Sequence, residues 1–203
     1  MTCKAETGWE RHHRKEEFTG EVAKSFPMNL RLALIEQYRA GLGMLAQCVE
    51  ICPDDLWTAG TPPREFWRIV WHTAYFTQNY LVQTEDEFNR SAGDWPEAVR
   101  SALGVNTTQR AMDVEPYERP AGITPLTRQE LGEYIEGISR SVDSTVEGLD
   151  LDREDTGFSW YPNMTKLSHE LMNLRHIQGH VGQLSELLMA RGIDIDWISN
   201  LAS

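Results

Sequence analysis

Between Lys166 and Arg191, apolar side chains recur at steps of three and four residues. At about 3.6 residues per turn, Leu167, Leu171, Leu174, Ile177, Val181, Leu184 and Leu188 fall on one broad arc, the pattern of a helix laid against a core. His176 and His180 stand four apart at the edge of that arc, so their rings share a face. Asn173 and Gln183 extend the face by a turn in either direction. Two imidazoles at this spacing can share one metal ion. A third ligand has to come from elsewhere in the chain.

Three more segments read as long helices. Pro27 and Asn29 open the first, in which Leu30, Leu34, Tyr38, Leu42, Leu45 and Val49 keep the helical step; it should stop before Pro53. Thr61 followed by Pro62 reads as the start of a second, running through Phe66, Trp67, Ile69, Val70, Trp71, Tyr75, Phe76 and Tyr80 to Val82. It is apolar nearly all round and should be deeply buried. His72 lies in its middle and shares a face with Tyr75, Phe76 and Asn79. Taken alone, such a histidine is a hydrogen-bonded core residue; its standing changes if the fold sets it opposite His176 and His180. The third helix opens on the capping box Thr127-Arg128-Gln129-Glu130, with Leu126 and Leu131 as a hydrophobic staple. Leu131, Tyr134, Ile135, Ile138, Val142, Val146 and Leu149 continue its apolar face. Gly192 closes the last helix after Arg191, and the remainder, with Asp194, Asp196 and Trp197, reads as a tail packed back on the domain.

Residues 84–125 are less regular. A short helix start at Asp94, then Pro116, Pro120, Gly122 and Pro125, suggest a functional lid or a mobile segment. The expectation is an all-α fold, a four-helix bundle with an irregular insertion between helices 2 and 3. Residues 1–27 form a polar arm ahead of a bundle domain over 28–203. His12 and His13 sit in that arm among Arg11, Arg14, Lys15, Glu16 and Glu17, and read as solvated surface.

With 203 residues the chain can bury the core of one ordinary domain. A net charge of −12 argues against nucleic acid or an anionic membrane as partner. No apolar run approaches the ~18 residues of a membrane span, and the polar N-terminus lacks a secretory apolar stretch. Cys3, Cys48 and Cys52 make no disulfide framework, and a cytoplasmic location is expected. Cys48 and Cys52, four apart near the end of the first helix, read as small buried residues rather than a thiolate pair.

Helical bundles build metal sites from side chains pointing inward on facing helices. His72 with His176 and His180 would supply three neutral nitrogens and leave coordination positions for water or substrate, the pattern of a catalytic site. His169 lies on the same face as His176 but seven residues away, about 10 Å along the axis, and reads as surface or as support for the ligands. Position 177 is isoleucine, so the His-Glu-x-x-His of zinc peptidases is absent, as are paired Glu-x-x-His motifs. Asn79, Asn173 and Gln183 either orient ligands and substrate or satisfy backbone. Trp160 and Tyr161, just before the histidine helix, either wall a pocket or plug the end of the bundle.

The run Asn173–Leu184 resembles the last helix of the DinB-like (DinB/YfiT) superfamily, whose His-x-x-x-His and following Gly-Gln fall on His176, His180 and Gly182-Gln183. Ile69–Ala74 is similar to that family's second helix, where Trp-His supplies the third ligand. Residue 179 is glycine and 181 valine, where relatives carry bulkier or basic residues. Over about residues 28–191 the resemblance implies an up-down-down-up bundle holding one divalent ion, zinc or nickel, commonly in a homodimer. It further implies a thiol-dependent S-transferase using a low-molecular-weight thiol, or a metal-dependent hydrolase. A non-catalytic metal-binding or interaction bundle is the competing class, and a metal-free set of histidines satisfied by neighbours is the third reading.

Overall fold

The computed structural model describes residues 29–61, 64–87 and 125–199. The expectations for the N-terminal arm, the helix start at Asp94 and the 105–124 stretch fall outside the described residues. Helix α1 spans Leu30–Ile51. The Asn29 side chain accepts from the Leu32 amide at 3.1 Å, and Pro53 ends the helix as expected. A single turn, α2, follows at Asp54–Trp57; no sequence signal pointed to it. Helix α3 spans Phe66–Tyr80, starting later than the Thr61 cap implied. The sequence carries a reason for the delay: Pro63 follows Pro62, and a proline disfavours the α region for the residue before it. The Arg64 amide instead donates to the Thr61 carbonyl in a turn at 2.8 Å.

Helix α4, Arg128–Gly148, carries both bonds of the expected capping box between Thr127 and Glu130. Helix α5, Lys166–Met189, is capped by the Thr165 side chain and ends two residues before the expected Arg191. Gly192 takes a left-handed φ of 73° there, and the Ile193 amide bonds back to the Leu188 carbonyl at 3.1 Å.

Helix α1 lies against α4 and α5, and α3 against α5 and, less extensively, α4. Leu45, Val70, Trp71, Leu131, Val142 and Leu184 lie in the core between them. At Gly41 the backbones of α1 and α5 come close: a Cβ there would stand 3.0 Å from Ile177 Cγ2. The tail is strapped to α1, with Gln47 bonded to Asp196 and Gln37 to Ser199. Among the described residues no strand forms, and no helix is long and apolar enough to cross a membrane.

The apolar arc of α5 holds only in its C-terminal half, where Ile177, Val181, Leu184 and Leu188 are buried. In the N-terminal half the arc is only partly kept: Leu167 and Leu174 are half-buried against the core, Leu171 is 52% exposed, and Lys166, His169, Glu170 and Asn173 are fully buried. Hydrophobicity alone would seat these residues the other way round. Burial of Lys166, Glu170 and Asn173 is sustained by an ion pair and by bonds to Tyr38 and to backbone carbonyls that the periodic pattern does not encode.

Candidate metal centre

His72 projects from the middle of α3, and His176 and His180 from successive turns of α5. The three offer one ligand atom each, all within 4.8 Å of one another. Their ring centroids are 5.1, 4.7 and 4.6 Å apart, pair by pair. His72 Nε2 stands 3.1 Å from His176 Nε2. Two nitrogens bound at about 2.1 Å to one ion are separated by about 3.0–3.4 Å for angles of about 90–110°, so this pair already has the spacing of two ligands on one ion. No Asp, Glu or Cys among the described residues joins the group. An all-imidazole donor set suits zinc, nickel, copper or iron.

Each of the three histidines is half-buried, which leaves the cluster reachable from solvent. Every α3 residue except His72, Phe76 and Gln78 is buried, so the helix opens where it faces the cluster. Phe76 stacks at 4.8 Å from His72 and 6.0 Å from His176, forming one wall. Tyr80 reaches His176 at 6.2 Å.

The rings are set up as neutral ligands. Burial, then the neighbouring His180 and His176, bring His72 down to about 3. Burial and His180 bring His176 to about 3. His180 is lowered by burial, countered by its bond to Gln183, with a smaller downward push from the Arg64 guanidinium. The 2.8 Å contact of His180 Nδ1 with Gln183 Oε1 makes Nδ1 the donor, which assigns the lone pair to Nε2. His176 Nδ1, on the far side of the ring from His72, is buried without a hydrogen-bond partner.

The remaining expected site residues spread out. Gln183 touches the cluster directly. Asn173, one turn before His176, donates to the Thr77 carbonyl at 3.1 Å and so ties α5 to α3. Asn79 is buried, with its Oδ1 unpartnered. Tyr75 is buried on the α4 side, where burial first and then Tyr75 raise the Tyr134 phenol. Trp160 is 38% exposed, with its ring against Phe158 and Tyr161. Those two rings close over His169 rather than over the three histidines, at 4.8 and 5.3 Å.

His169 is a correction. It is fully buried, boxed by Tyr80, Phe158 and Tyr161, and neither ring nitrogen has a hydrogen-bond partner. Burial, then Lys166, lowers it to about 3. Sequence reading also passed over Lys166, Glu170 and Tyr38. The Lys166 ammonium meets Glu170 Oε1 at 2.8 Å, and Glu170 Oε2 accepts from the Tyr38 hydroxyl at 2.6 Å. A lysine and glutamate four apart on a helix is ordinarily a solvated pair, so the only available signal pointed to the surface. Cys48 and Cys52 are buried free thiols, pushed up chiefly by burial to about 12 and about 11, and do not enter the cluster.

No protein-family model, curated protein or solved structure matches the chain. The site therefore stands on its own geometry.

Proposed function

We propose that this chain is a divalent-metal-dependent enzyme of the DinB-like type. In this reading its four long helices form an up-down-down-up bundle, and His72, His176 and His180 hold one zinc or nickel ion. The carrying observation is the gathering of three imidazole ligand atoms within 4.8 Å from two helices. Bound there, such an ion supplies the Lewis acidity that stabilises a small-molecule thiolate or activates water. Thiol-dependent S-transfer is the preferred reaction, carried by the family resemblance, and so is a homodimer as the working unit.

The chain's own residues prepare this chemistry. His72 and His176 stay neutral at physiological pH, so protons do not compete for their lone pairs. Gln183 fixes the tautomer of His180. Phe76 shields one side of the ring cluster, while the half-buried rings leave access for a small substrate.

A metal-free reading has one observation in its favour: His72 Nε2 and His176 Nε2 at 3.1 Å can share a proton as a neutral pair. The deciding experiment is metal content by mass spectrometry on untagged wild type beside a His72→Ala, His176→Ala, His180→Ala variant, with helicity checked by circular dichroism. About one zinc or nickel per chain, lost in a still-helical variant, is the expected result. Absence of metal after anaerobic purification and reconstitution overturns the proposal. A cobalt-substituted protein whose spectrum changes on adding a small thiol supports an enzyme; an unchanged spectrum favours a closed, non-catalytic site.

A further inference from the structure

One ligand comes from α3 and two come from α5, so the geometry of the histidine cluster depends on how these helices are set lengthwise against each other. A slip of one residue moves His72 by about 1.5 Å, whereas metal–ligand distances tolerate about 0.2 Å. Apolar contacts between two helices change gradually on sliding. Directional bonds do not, and the α3–α5 seam has a set of them running from Asn173, one turn before His176, to Lys166, about 15 Å from His176 along the helix.

Lys166 opens α5 and is fully buried. Its ammonium donates to the Tyr80 carbonyl at 3.3 Å, at the end of α3, and to the Val82 carbonyl just beyond it, and pairs ionically with Glu170 Oε1 at 2.8 Å. Two hydrogen bonds and one ion pair thus hold the ammonium in place. Carbonyls at a helix end lack intrahelical donors, so the lysine satisfies groups that need a partner. Glu170, also fully buried, is held in turn by Tyr38 of α1 at 2.6 Å. Asn173 adds the bond to the Thr77 carbonyl, one turn from His176. Three helices thus converge on one ion pair.

Cohesion does not require this arrangement. Replacing a buried ion pair by apolar residues of similar volume is often neutral or stabilising, because the desolvation cost offsets the attraction. The Lys166 side chain is wholly buried and paired with Glu170, so its ammonium is not presented to a substrate. We propose that Lys166, braced by Glu170 and Tyr38, is a positioning residue that sets α3 against α5 and so holds His72 in register with His176 and His180. This proposal rests on the metal-site reading above.

The test separates register from stability in the full-length chain. Lys166→Met alone strands a buried carboxylate and should lower the melting temperature markedly. Lys166→Met with Glu170→Leu removes both charges and should melt near wild type, yet bind zinc about 10–100-fold more weakly, the range for losing support around a metal site, with an altered cobalt spectrum. Wild-type zinc affinity and spectrum in that double variant overturn the proposal. Should it fail to fold, Lys166→Met with Glu170→Gln, which keeps an acceptor for Tyr38, is read by the same two measurements. Failure of wild type to take up zinc overturns the metal-site reading and this inference together. Zinc bound normally by both wild type and the charge-free variant overturns this inference alone.

Discussion

At the scale of single residues, a hydrogen bond decides which nitrogen of His180 faces the cluster. Gln183 accepts from His180 Nδ1 at 2.8 Å. Gln183→Leu removes that acceptor while keeping comparable bulk, so the His180 ring can adopt the wrong tautomer or turn away. Zinc affinity measured by competition with a chelator should fall about 10–100-fold, with circular dichroism and chelated-protein melting temperature nearly unchanged, since residue 183 is exposed. Unaltered affinity would show that the bond is incidental. His176 and His180 were legible from sequence because i, i+4 spacing on a helix is geometry that sequence states directly, whereas His72 joined them only through the expected bundle and the family resemblance. The side chains that support them were not legible, because a lysine–glutamate pair reads alike whether solvated or buried.

Buried neutral histidines also tie stability to pH at this scale. His72, His169 and His176 each sit at about 3 in the folded chain, against about 6.5 unfolded. Between those values the unfolded state binds more protons, so stability is retained above about pH 6.5 and lost progressively as pH falls toward about 3. Glu170, raised by burial, works in the opposite direction and offsets part of the loss. His169 is the cleanest to isolate because it lies outside the cluster. In metal-free protein, His169→Phe should reduce by about one the protons taken up on unfolding near pH 5, measured from denaturant midpoints between pH 4.5 and 6.5. An unchanged slope would mean that His169 is not held neutral in the fold.

At the scale of elements, α1 and α5 approach closely because Gly41 lacks a side chain. A methyl there would stand 3.0 Å from Ile177 Cγ2 and 3.2 Å from Gln178 Nε2, and Ile177 is fully buried. Alanine is the better helix former by about 1 kcal/mol, whereas overpacking costs about 1–3 kcal/mol. Gly41→Ala should therefore be destabilising by about 1 kcal/mol net, read from chemical denaturation; a stabilised variant would show that α5 moves away freely. This contact was hidden in the sequence, where a glycine inside a helical pattern carries no sign of its neighbour. Helix starts were more legible: Asn29 and Thr127 act as their side-chain chemistry predicts, while the double proline after Thr61 delayed α3. The α5 arc misled most. Its period was right, but period alone cannot report that Lys166 pairs with Glu170 and that Asn173 bonds to the Thr77 carbonyl, while Leu171 is left exposed.

At the scale of the whole molecule, the histidines draw ligands from α3 and α5, and α5 also packs on α1. A bound ion would therefore act as a cross-link between two long helices that the Asn173 and Lys166 bonds also tie together. A ligand that binds only the folded state stabilises it by about 4 kcal/mol at a free concentration of about 1,000 times its dissociation constant. For a domain of this size 1 kcal/mol corresponds to about 2–4 °C. Saturating zinc should then raise the melting temperature of chelator-treated wild type by about 8–16 °C, and the increment should vanish in the triple His→Ala variant. The size of the shift should also depend on pH. Protons compete weakly at His72 and His176 in the folded state, so the zinc increment should persist at pH 6, where exposed histidines would already be substantially protonated. An increment that collapses between pH 7 and pH 6 would mean that the rings titrate normally, and that the cluster is looser and wetter than its burial implies.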